Sequence, residues 1–517
     1  MTSDPRSARW GHSSPDLATF LSAAQAARTV PIVRRLLAED LTPTLAYRAF
    51  DSGPGTFILE SAEHGEWGRW SFVGVNCPAF LTATGTTAAW HGRVPAGLST
   101  EGHPLDLIAE ATRELAHPPL AEHYPPFTGG LVGALGWEVV RLIEHLPPRV
   151  EPDVAVPDVA LALATDLLAF DHHTGELWLI ALAVNFDGAA TGAERAYRDA
   201  LARLDHMEAT LAGASSAGVP RTETEGSEAE PRFNMAPEDF TRIVAAAKDA
   251  IVEGEVFQIV LSQRAQLDCT ADPLDVYRVL RATNPSPYMY VLALDDGAGG
   301  CFHIVGSSPE TLVEVRGTSA RTFPIAGSRP RGETPERDRE LESELLADPK
   351  EIAEHVMLVD LARNDLSRVC EPGSVTVPEY QAVRRYSHIM HITSTVTGTL
   401  RPDQGPLDAL LATFPAGTLS GAPKVRALEL IDALEPTRRG IYGGVVGYLD
   451  LQGNLDMAIA IRTAVIAHGV ASVQAGAGIV ADSVPATELQ ESRTKAAAAL
   501  RAVQRANRLR DGDSSCG

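Results

Sequence analysis

The segment QAGAGIVADSVPATELQESRTK (residues 474–495) joins a glycine-containing apolar run to a charged helix. In Gly476-Ala477-Gly478 the small side chains would let a ligand approach the backbone N–H groups closely. Asp482 or Ser483 is a candidate N-cap, and Pro485 suits the first helical turn, where the missing N–H has no partner to lose. The segment therefore predicts a ligand-binding run followed by a helix that begins near Pro485.

Two pairs of carboxylates stand at helical spacing in this chain. Glu488 and Glu491 are three residues apart, so they share one helix face, with Lys495 one turn further on. Glu351 and Glu354 repeat the spacing on a helix predicted after Asp348-Pro349. Two such pairs facing each other would hold a hard divalent cation through oxygen ligands. A single E-x-x-E is usually a solvated helix face, so the prediction depends on the motifs around it.

Length and composition limit the class of protein. A chain of 517 residues is long enough for two large folding units, and its net charge of −23 argues against a nucleic-acid-binding surface. Five scattered cysteines without metal-ligand spacing fit a reducing compartment. The polar N-terminus contains no signal-peptide core, and no apolar run is long enough to cross a bilayer. These features predict a cytoplasmic enzyme.

The order of patterns along the chain predicts an α+β fold. We place an N-terminal regulatory part at residues 14–212, a low-complexity linker at 213–232 and a catalytic part at 233–510. Residues 1–13 are expected to be disordered, and Ser14 to Arg28 to form a helix capped by Ser14. Strand-like runs separated by helices, without regular βαβ alternation, indicate large antiparallel sheets. Helices are predicted near 336–346, 349–364, 406–413 and 423–433, and a final one at 485–508.

Five motifs stand out in the second half of the chain: PIAGSRPRG (324–332), DPKEIAEHVMLVDLARNDL (348–366), FPAGTLSGAPK (414–424), YGGVVGYLD (442–450) and MAIAIRT (457–463). The last two are predicted strands, and MAIAIRT places Arg462 among apolar residues. An arginine there is costly unless it is paired, so it indicates either an anionic ligand or a structural carboxylate partner.

Together these motifs resemble the chorismate-utilising enzymes, and among them the group that makes anthranilate. The resemblance covers about Val30 to Arg508 and implies a large α/β sandwich with the N-terminal part packed on the catalytic part. It implies a cytoplasmic, Mg²⁺-dependent lyase that aminates chorismate with ammonia and eliminates pyruvate, the first step of tryptophan biosynthesis. Ser328 where threonine is usual, and Trp137-Glu138 in place of Tyr-Asp, are the departures from the family pattern.

The resemblance also implies a role for individual residues of this chain. Glu354 and Glu491 would bind Mg²⁺, with Glu351 and Glu488 holding metal-bound waters. Glu310 would be the general acid for loss of the C4 hydroxyl, and His391 would serve the elimination of pyruvate. The remaining residues would contact the substrate: Gly327, Ser328, Thr418, Tyr442, Arg462, Gly476, Ala477, Gly478 and Lys495.

Two positions separate the sister reactions within the family. Relatives that activate water carry a lysine where this chain has Gln258, and an amide is not a useful base. Relatives that form a covalent amine adduct carry a lysine where this chain has Ala326. Ammonia is the remaining nucleophile. An enzyme that stops before pyruvate loss is the alternative, against which His391 counts, and an inactive scaffold homologue would be expected to lack metal ligands.

The resemblance further implies tryptophan feedback and a separate subunit. The inhibitor pocket would use residues from FILES (57–61) and NPSPYM (284–289), namely Glu60, Ser61, Pro287, Tyr288 and Met289. Core packing is the alternative role for Tyr288 and Met289. No cysteine lies in a glycine-flanked elbow, and the chain is expected to leave no room for a glutaminase domain. Ammonia is therefore expected from a separate glutamine amidotransferase subunit.

Overall fold

The computed structural model describes residues 10–50, 53–62, 68–121, 123–147, 154–189, 191–214, 221–222, 229–385 and 389–510. Within them, helices α1 to α11 are Leu17–Ala23, Pro43–Phe50, Pro104–Glu114, Gly192–Ala212, Pro237–Val252, Pro273–Thr283, Pro335–Ala347, Pro349–Ser367, Pro406–Thr413, Lys424–Leu434 and Pro485–Ala506, and a 3₁₀ helix spans Trp137–Leu142.

The strands are numbered in chain order. Strands β1 to β14 are Ser13–Ser14, Thr29–Leu37, Phe57–Glu60, Trp70–Asn76, Ala79–Thr84, Thr87–Gly92, Glu101–Gly102, Gly130–Leu135, Val159–Ala164, Asp166–Asp171, Glu176–Val184, Arg221–Thr222, Arg232–Phe233 and Gln258–Asp268. Strands β15 to β27 are Tyr288–Asp295, Cys301–Ser308, Thr311–Arg316, Ser319–Thr322, Ile325–Pro330, Thr376–Arg385, Ile389–Thr399, Gly421–Ala422, Val445–Asp450, Leu455–Ile459, Thr463–Ala467, Val470–Ile479 and Leu509–Arg510.

Two large antiparallel sheets organise the described residues. The first sheet has the order β1-β2-β11-β10-β4-β3-β15-β16-β25-β26-β14-β13, with β22 beside β14. The second has the order β19-β21-β18-β17-β24-β23-β8-β9-β5-β6-β7, with β20 beside β21. In each sheet the strands of the two predicted parts occupy opposite sides and meet at one pair, β3 with β15 and β8 with β23. The α+β prediction with large antiparallel sheets is confirmed.

The hydrophobic core lies in three layers. The inner layer packs the two sheets face to face, with Phe57 and Phe72 of the first sheet near Val132 and Tyr448 of the second. Helices α4, α6 and α11 bury the outer face of the first sheet. Helices α3 and α9 cover the second sheet, and helix α10 packs against β14 of the first sheet. The arrangement is a helix–sheet–sheet–helix sandwich, in which each sheet is buried on both faces.

Several sequence predictions are confirmed, but the start of the first helix and the N-cap of the last helix are wrong. The four predicted internal helices match α7 to α10. The first helix begins at Leu17 rather than after Ser14, because Ser13–Ser14 pairs with β2 and Asp16 provides the N-cap by accepting from Thr19 N at 2.8 Å. The last helix begins at Pro485 as predicted, but Val484 occupies the N-cap without a side-chain hydrogen bond. Most of the predicted disordered N-terminus and linker lies outside the described residues.

The stretch MAIAIRT is not one strand. Strand β24 ends at Ile459 in the second sheet and β25 begins at Thr463 in the first, so Arg462 lies where the chain crosses between the sheets, with φ of 50°. Pro309 and Glu310 form a neighbouring crossing, from β16 of the first sheet to β17 of the second. The strands on either side pair with one another, β16 with β25 and β17 with β24. The topology therefore places Glu310 and Arg462 side by side.

Candidate active site

A cavity of about 1950 Å³ opens at these two crossings. Strands β14, β19 and β26, helices α8 and α11, and the loop after α9 contribute to its wall. Its lining includes most of the residues that the sequence predicts for catalysis and binding: Glu310, Gly327, Ser328, Glu354, His391, Thr418, Tyr442, Arg462, Gly476, Gly478, Glu488, Glu491 and Lys495. The fold therefore brings together residues separated by up to 185 positions in the sequence (310 to 495).

Glu310 is a partly buried carboxyl group that lines this cavity. Thr418 Oγ1 donates to Glu310 Oε1 at 2.9 Å, which fixes the orientation of the carboxyl. Burial raises the pKa of Glu310 to about 7, although the Thr418 hydrogen bond and the charges of Arg462 and Lys495 act in the opposite direction. A large share of this group is therefore protonated at neutral pH, as a general acid requires.

Arg462 presents a cation to the cavity from its crossing segment. Burial lowers the pKa of its guanidinium and the Glu310 charge raises it. Among the described residues, no hydrogen bond or ion pair to the guanidinium is formed, so a structural carboxylate partner is not what holds it here. A left-handed backbone conformation at a residue other than glycine is sparsely populated and concentrates at functional sites. The geometry suits an anionic ligand.

Strand β26 forms another part of the wall. On one side β26 pairs with β25, but only as far as Val473. Beyond Val473 no described strand pairs with this side of β26, and Gly476 and Gly478 line the cavity there. A Cβ on Gly476 would lie 2.4 Å from the carbonyl oxygen of Leu261, so glycine is needed for this close approach of the backbone. The side chain of Ala477 alternates to the other face of the strand and packs in the core, which leaves only its backbone for a ligand.

The carboxylate helices α8 and α11 face the same space. Glu354, Glu488 and Glu491 line the cavity, and Lys495 binds Glu491 Oε1 at 2.7 Å. Burial raises the pKa of Glu354, and the charges of Glu351 and Glu491 raise it further. Burial also raises the pKa of Glu488, with a contribution from Glu491. In the described part of the chain, no three metal-ligating side chains already stand close enough together to share an ion.

These carboxylates form a donor set of hard oxygens that repel one another. Such a set fits a divalent cation of the Mg²⁺ type, which would relieve the repulsion that adds to the effect of burial on these pKa values. Glu351 stands apart from the other three, because Arg329 binds it at 3.2 Å and it lies against Gly327.

His391 reaches the cavity from β21. Its Nδ1 lies 3.2 Å from the carbonyl oxygen of Gly327, so a proton on Nδ1 would be donated to that oxygen and Nε2 would be the basic nitrogen. Burial lowers the pKa of His391, which favours the neutral imidazole. This side chain is therefore suited to accept a proton.

The residues predicted for an inhibitor pocket lie next to this site. Glu60 of β3 pairs with Met289 of β15, and Arg281 Nε donates to Glu60 Oε1 at 2.6 Å. The Tyr288 hydroxyl bonds to Asp456 Oδ1 and Thr311 Oγ1, both at 2.8 Å. A separate small cavity of about 40 Å³ is lined by Pro287 and Tyr288, and Pro287 also lines the large cavity. Ser61 directly follows Glu60, so the predicted set is contiguous in space.

Sequence reasoning missed a buried ion pair beneath the site. Arg439 and Glu435 have side chains 0% and 2% exposed and are joined at 2.6 Å. Arg439 also donates to the carbonyl oxygens of Leu419 and Val260, and its guanidinium lies 5.6 Å from the Tyr442 ring centroid. The pair thus holds three cavity-lining segments together. The i, i+4 spacing of Glu435 and Arg439 was the signal in the sequence. Lys350, beside the predicted ligand Glu351, is a further cation of the lining that was not predicted.

Comparison with known proteins places this site in context. Residues 55–501 match the model of the family described as chorismate binding enzyme. The chain is 52% identical to anthranilate synthase component 1 of Mycolicibacterium smegmatis over 497 residues, covering 95% of this chain and 94% of that protein. It is 50% identical to anthranilate synthase component 1 of Arthrobacter globiformis over 502 residues, covering 96% and 94%.

A solved structure of an anthranilate synthase component I has a fold similar to that of this chain. The crystal structure of anthranilate synthase component I from Streptococcus pneumoniae TIGR4 superposes with a TM-score of 0.70 at 35% identity, covering 90% of this chain and 99% of that one. None of the described helices is long and apolar enough to span a lipid bilayer. The chain belongs to the chorismate-binding enzyme family, in its anthranilate synthase component I branch.

Proposed function

We propose that this chain catalyses the Mg²⁺-dependent reaction of chorismate with ammonia to give anthranilate, pyruvate and water, the first step of tryptophan biosynthesis. The observation that carries the proposal is Glu310, a partly buried acid with a pKa of about 7, which lines one cavity together with the cation Arg462 and a set of carboxylates. Chorismate is a dianion with a hydroxyl leaving group, so its turnover needs cations for the carboxylates and an acid for the hydroxyl.

The carboxylates of α8 and α11 are the proposed Mg²⁺ site. Glu354 and Glu491 would bind the ion, with Glu488 and Glu351 holding its waters. When bound, Mg²⁺ would supply positive charge to the ring carboxylate of chorismate and withdraw electron density from the ring. Arg462, Tyr442 and the backbone of Gly327, Ser328 and Gly476–Gly478 would bind the enolpyruvyl carboxylate, assisted by Lys495.

The proton transfers would then be made by this chain's own residues. Ammonia forms a bond to C2 while the C4 hydroxyl leaves, and Glu310 gives its proton to that hydroxyl so that water departs. Thr418 holds the Glu310 carboxyl in place at 2.9 Å. The new ammonium group at C2 releases a proton, so that Glu310 can be reprotonated. The proton on C2 is then removed, with His391 Nε2 as the proposed base, and the C3–O bond breaks. The enolate that leaves takes up a proton to become pyruvate.

Two wall positions favour ammonia over other nucleophiles. Gln258 and Ala326 both line the cavity, at the positions where water-activating and covalent relatives carry lysine. Neither an amide nor a methyl group can take a proton from water or form an amine adduct at neutral pH. An amination that stops before pyruvate loss remains the second candidate, and it is disfavoured by the position of His391 in the cavity.

The nitrogen source gives a direct test of the proposed function. With chorismate, Mg²⁺ and an ammonium salt, the purified chain should form anthranilate, seen by its fluorescence. Below about pH 7 the rate should rise with pH as more ammonia becomes neutral, and above it the loss of the Glu310 proton should offset this gain. With glutamine as the only nitrogen donor it should form none, because a separate glutamine amidotransferase subunit would supply the ammonia. Glutamine-dependent anthranilate formation without a co-purifying subunit would contradict this part of the proposal.

We also propose that tryptophan inhibits the enzyme by binding where β3 ends and β15 begins, beside Ser61 and Pro287. Tyr288 hydrogen bonds to Thr311, which directly follows Glu310, so an occupied pocket could change the position of the general acid through a single contact. Tryptophan would inhibit because it binds more tightly to a state in which Glu310 is misplaced.

The four described cysteines are free thiols, which fits the proposed cytoplasmic location.

Ser61→Phe should abolish tryptophan inhibition. The larger side chain would fill the pocket, so the tryptophan concentration for half inhibition should rise at least about tenfold. The uninhibited rate should stay near that of the parent. Ser22→Phe, on the exposed face of α1, is a matched control that should keep normal inhibition. Equal inhibition of Ser61→Phe and the parent would place the pocket elsewhere.

A further inference from the structure

Arg329 does not contribute to the wall of the large cavity, but it holds one of the predicted metal carboxylates. Its Nη1 donates to the Ser328 carbonyl oxygen at 2.8 Å and to Glu351 Oε1 at 3.2 Å, and its Nη2 donates to Asp348 Oδ2 at 2.7 Å. Ser328 belongs to β19, and Glu351 lies in the first turn of α8. Arg329 therefore ties the strand to the start of the helix.

Asp348 fixes this arrangement at the N-terminus of α8. One of its oxygens caps the helix by accepting from the backbone N–H groups of Lys350 and Glu351 at 3.0 and 3.4 Å. Its other oxygen accepts from Arg329. The guanidinium is planar, so acceptors on two backbone elements fix its orientation. The position of Glu351 is then set by Arg329.

The result is seen in where the two carboxylates of α8 lie. Glu351 and Glu354 are three residues apart on one helix face, but of the two only Glu354 is part of the cavity wall. Oε1 of Glu351 is bound by Arg329, and Oε2 lies 3.2 Å from the position that a Cβ on Gly327 would take. Gly327 is itself part of the wall. Glu351 therefore stands behind the wall, with one oxygen already occupied.

The number of carboxylates that reach a cation influences which cation binds. Glu354, Glu488 and Glu491 line the cavity, and Lys495 already neutralises part of the Glu491 charge. Mg²⁺ is usually bound by about one or two carboxylates and keeps several waters, whereas Ca²⁺ takes about six to eight oxygens at longer distances. Few direct carboxylates therefore favour Mg²⁺, and one more would favour Ca²⁺.

We propose that Arg329 determines the metal selectivity of this site by holding Glu351 behind the cavity wall. It is a positioning residue, because it acts through Glu351 and does not itself reach the cavity. This inference rests on the proposed function, in which the carboxylates of α8 and α11 bind Mg²⁺. Without Arg329, the Glu351 carboxylate loses its partner and becomes a direct oxygen ligand of the ion.

The test measures metal binding without turnover. Isothermal titration calorimetry of the purified full-length chain, in the absence of chorismate, gives the Kd for Mg²⁺ and for Ca²⁺. In Arg329→Met the ratio of the Ca²⁺ Kd to the Mg²⁺ Kd should fall about tenfold relative to the parent. Arg331→Met is the matched control, because Arg331 carries the same charge on the same segment but binds Asp338. It should keep the parent ratio, since loss of one positive charge affects both divalent ions alike.

A double substitution identifies the group through which Arg329 acts. Adding Glu351→Gln to Arg329→Met removes the freed carboxylate, so the ratio should return to within about twofold of the parent value. Glu491→Gln should weaken the binding of both ions. That loss would assign the measured heat to this site and not to the acidic surface of the protein.

The outcomes separate this inference from the proposed function. If the parent binds Mg²⁺ and Arg329→Met keeps the parent ratio, the inference is wrong and the metal site stands. The inference is also wrong if the double variant keeps the altered ratio. If Arg329→Met does not fold, Arg329→Lys decides, because an ammonium group lacks the fork that binds Asp348 and Glu351 together, and the ratio should fall at least about threefold. If the parent binds neither ion and Mg²⁺ does not change its activity, the proposed metal site fails and the inference falls with it.

Discussion

Glu310→Gln should lower kcat by about 10²–10⁴-fold, the range expected when a general acid is lost. The amide can still accept the hydrogen bond from Thr418, so the side chain should keep its place at the crossing between β16 and β17. It carries no acidic proton, so the C4 hydroxyl of chorismate would have to leave without protonation. Steady-state anthranilate formation at saturating chorismate, Mg²⁺ and ammonia measures the effect.

The Glu310 carboxyl should also shape the pH profile of the parent. Its pKa is about 7, so the acid form dominates below this pH and is lost above it. At a fixed concentration of neutral ammonia, the rate should therefore fall about tenfold per pH unit well above pH 7. Glu310→Gln should not show this fall. A parent rate that stays constant from pH 7 to 9 under these conditions would contradict the assignment of Glu310 as the acid.

The same pKa predicts an effect on stability with a definite sign. The pKa of Glu310 rises from 4.5 to about 7 on folding, so the folded state holds a proton that the unfolded state releases between these values. Stability of the parent is therefore lost as pH rises through this window, by on the order of 3 kcal/mol in total. Glu310→Gln does not titrate. Relative to the parent, its free energy of unfolding should be higher at pH 8 than at pH 4.5 by about that amount.

A neighbouring glutamate provides the matched control. Glu314 is a buried carboxylate of β17, four residues from Glu310, but it pairs with Arg316 and does not contribute to the cavity wall. Glu314→Gln should keep kcat within a few-fold of the parent. Equal loss of activity in both variants would mean that any change to this strand disables the enzyme, and Glu310 would then need no special role.

The fold was predictable as far as local patterns determine it. The positions of the helices and strands were predicted closely from local patterns: proline at the start of α7, α8 and α11, and alternation of apolar residues in the strands. These patterns are properties of short segments. The predicted start of the first helix was wrong for a non-local reason, since Ser13 and Ser14 pair with β2 about twenty residues away. The sharing of both sheets by the two halves of the chain is equally non-local, and no pattern within either half indicates it.

The site residues likewise divide into those that local spacing predicts and those that only the fold brings together. Spacing on one helix places Glu488 and Glu491 together, and the structure puts both in the cavity. Arg462 looked like a residue within a strand, because the apolar run continues through the point where the chain changes sheets. The ion pair of Glu435 and Arg439 was not predicted, because the carbonyl oxygens that Arg439 contacts, those of Val260 and Leu419, come from distant segments that meet only through packing.

Glu491→Gln should raise the Mg²⁺ concentration needed for half-maximal activity at least about 100-fold, because the loss of a residue that only hydrogen-bonds to a metal ligand already lowers metal affinity about 10–100-fold. The change removes one negative oxygen ligand and keeps the shape of the side chain. It also breaks the contact with Lys495, but this pair is nearly half exposed and contributes little to stability. Anthranilate formation against Mg²⁺ concentration measures the effect, and the fold should persist.

A second readout does not depend on activity. Mg²⁺ that binds only the folded state raises the melting temperature in proportion to the logarithm of its concentration over Kd, so the parent should gain more than Glu491→Gln at the same concentration. Glu429→Gln is the control, since Glu429 is a partly exposed carboxylate paired with Arg426 outside the cavity wall. Its Mg²⁺ dependence should match that of the parent, and an unchanged dependence in Glu491→Gln as well would remove Glu491 from the metal site.

Without Mg²⁺ the Glu491→Gln chain should be no less stable than the parent, because Glu491 raises the pKa values of Glu354 and Glu488 by repulsion that the amide lacks. A loss of turnover with undiminished stability would then be attributable to the metal ligand and not to unfolding.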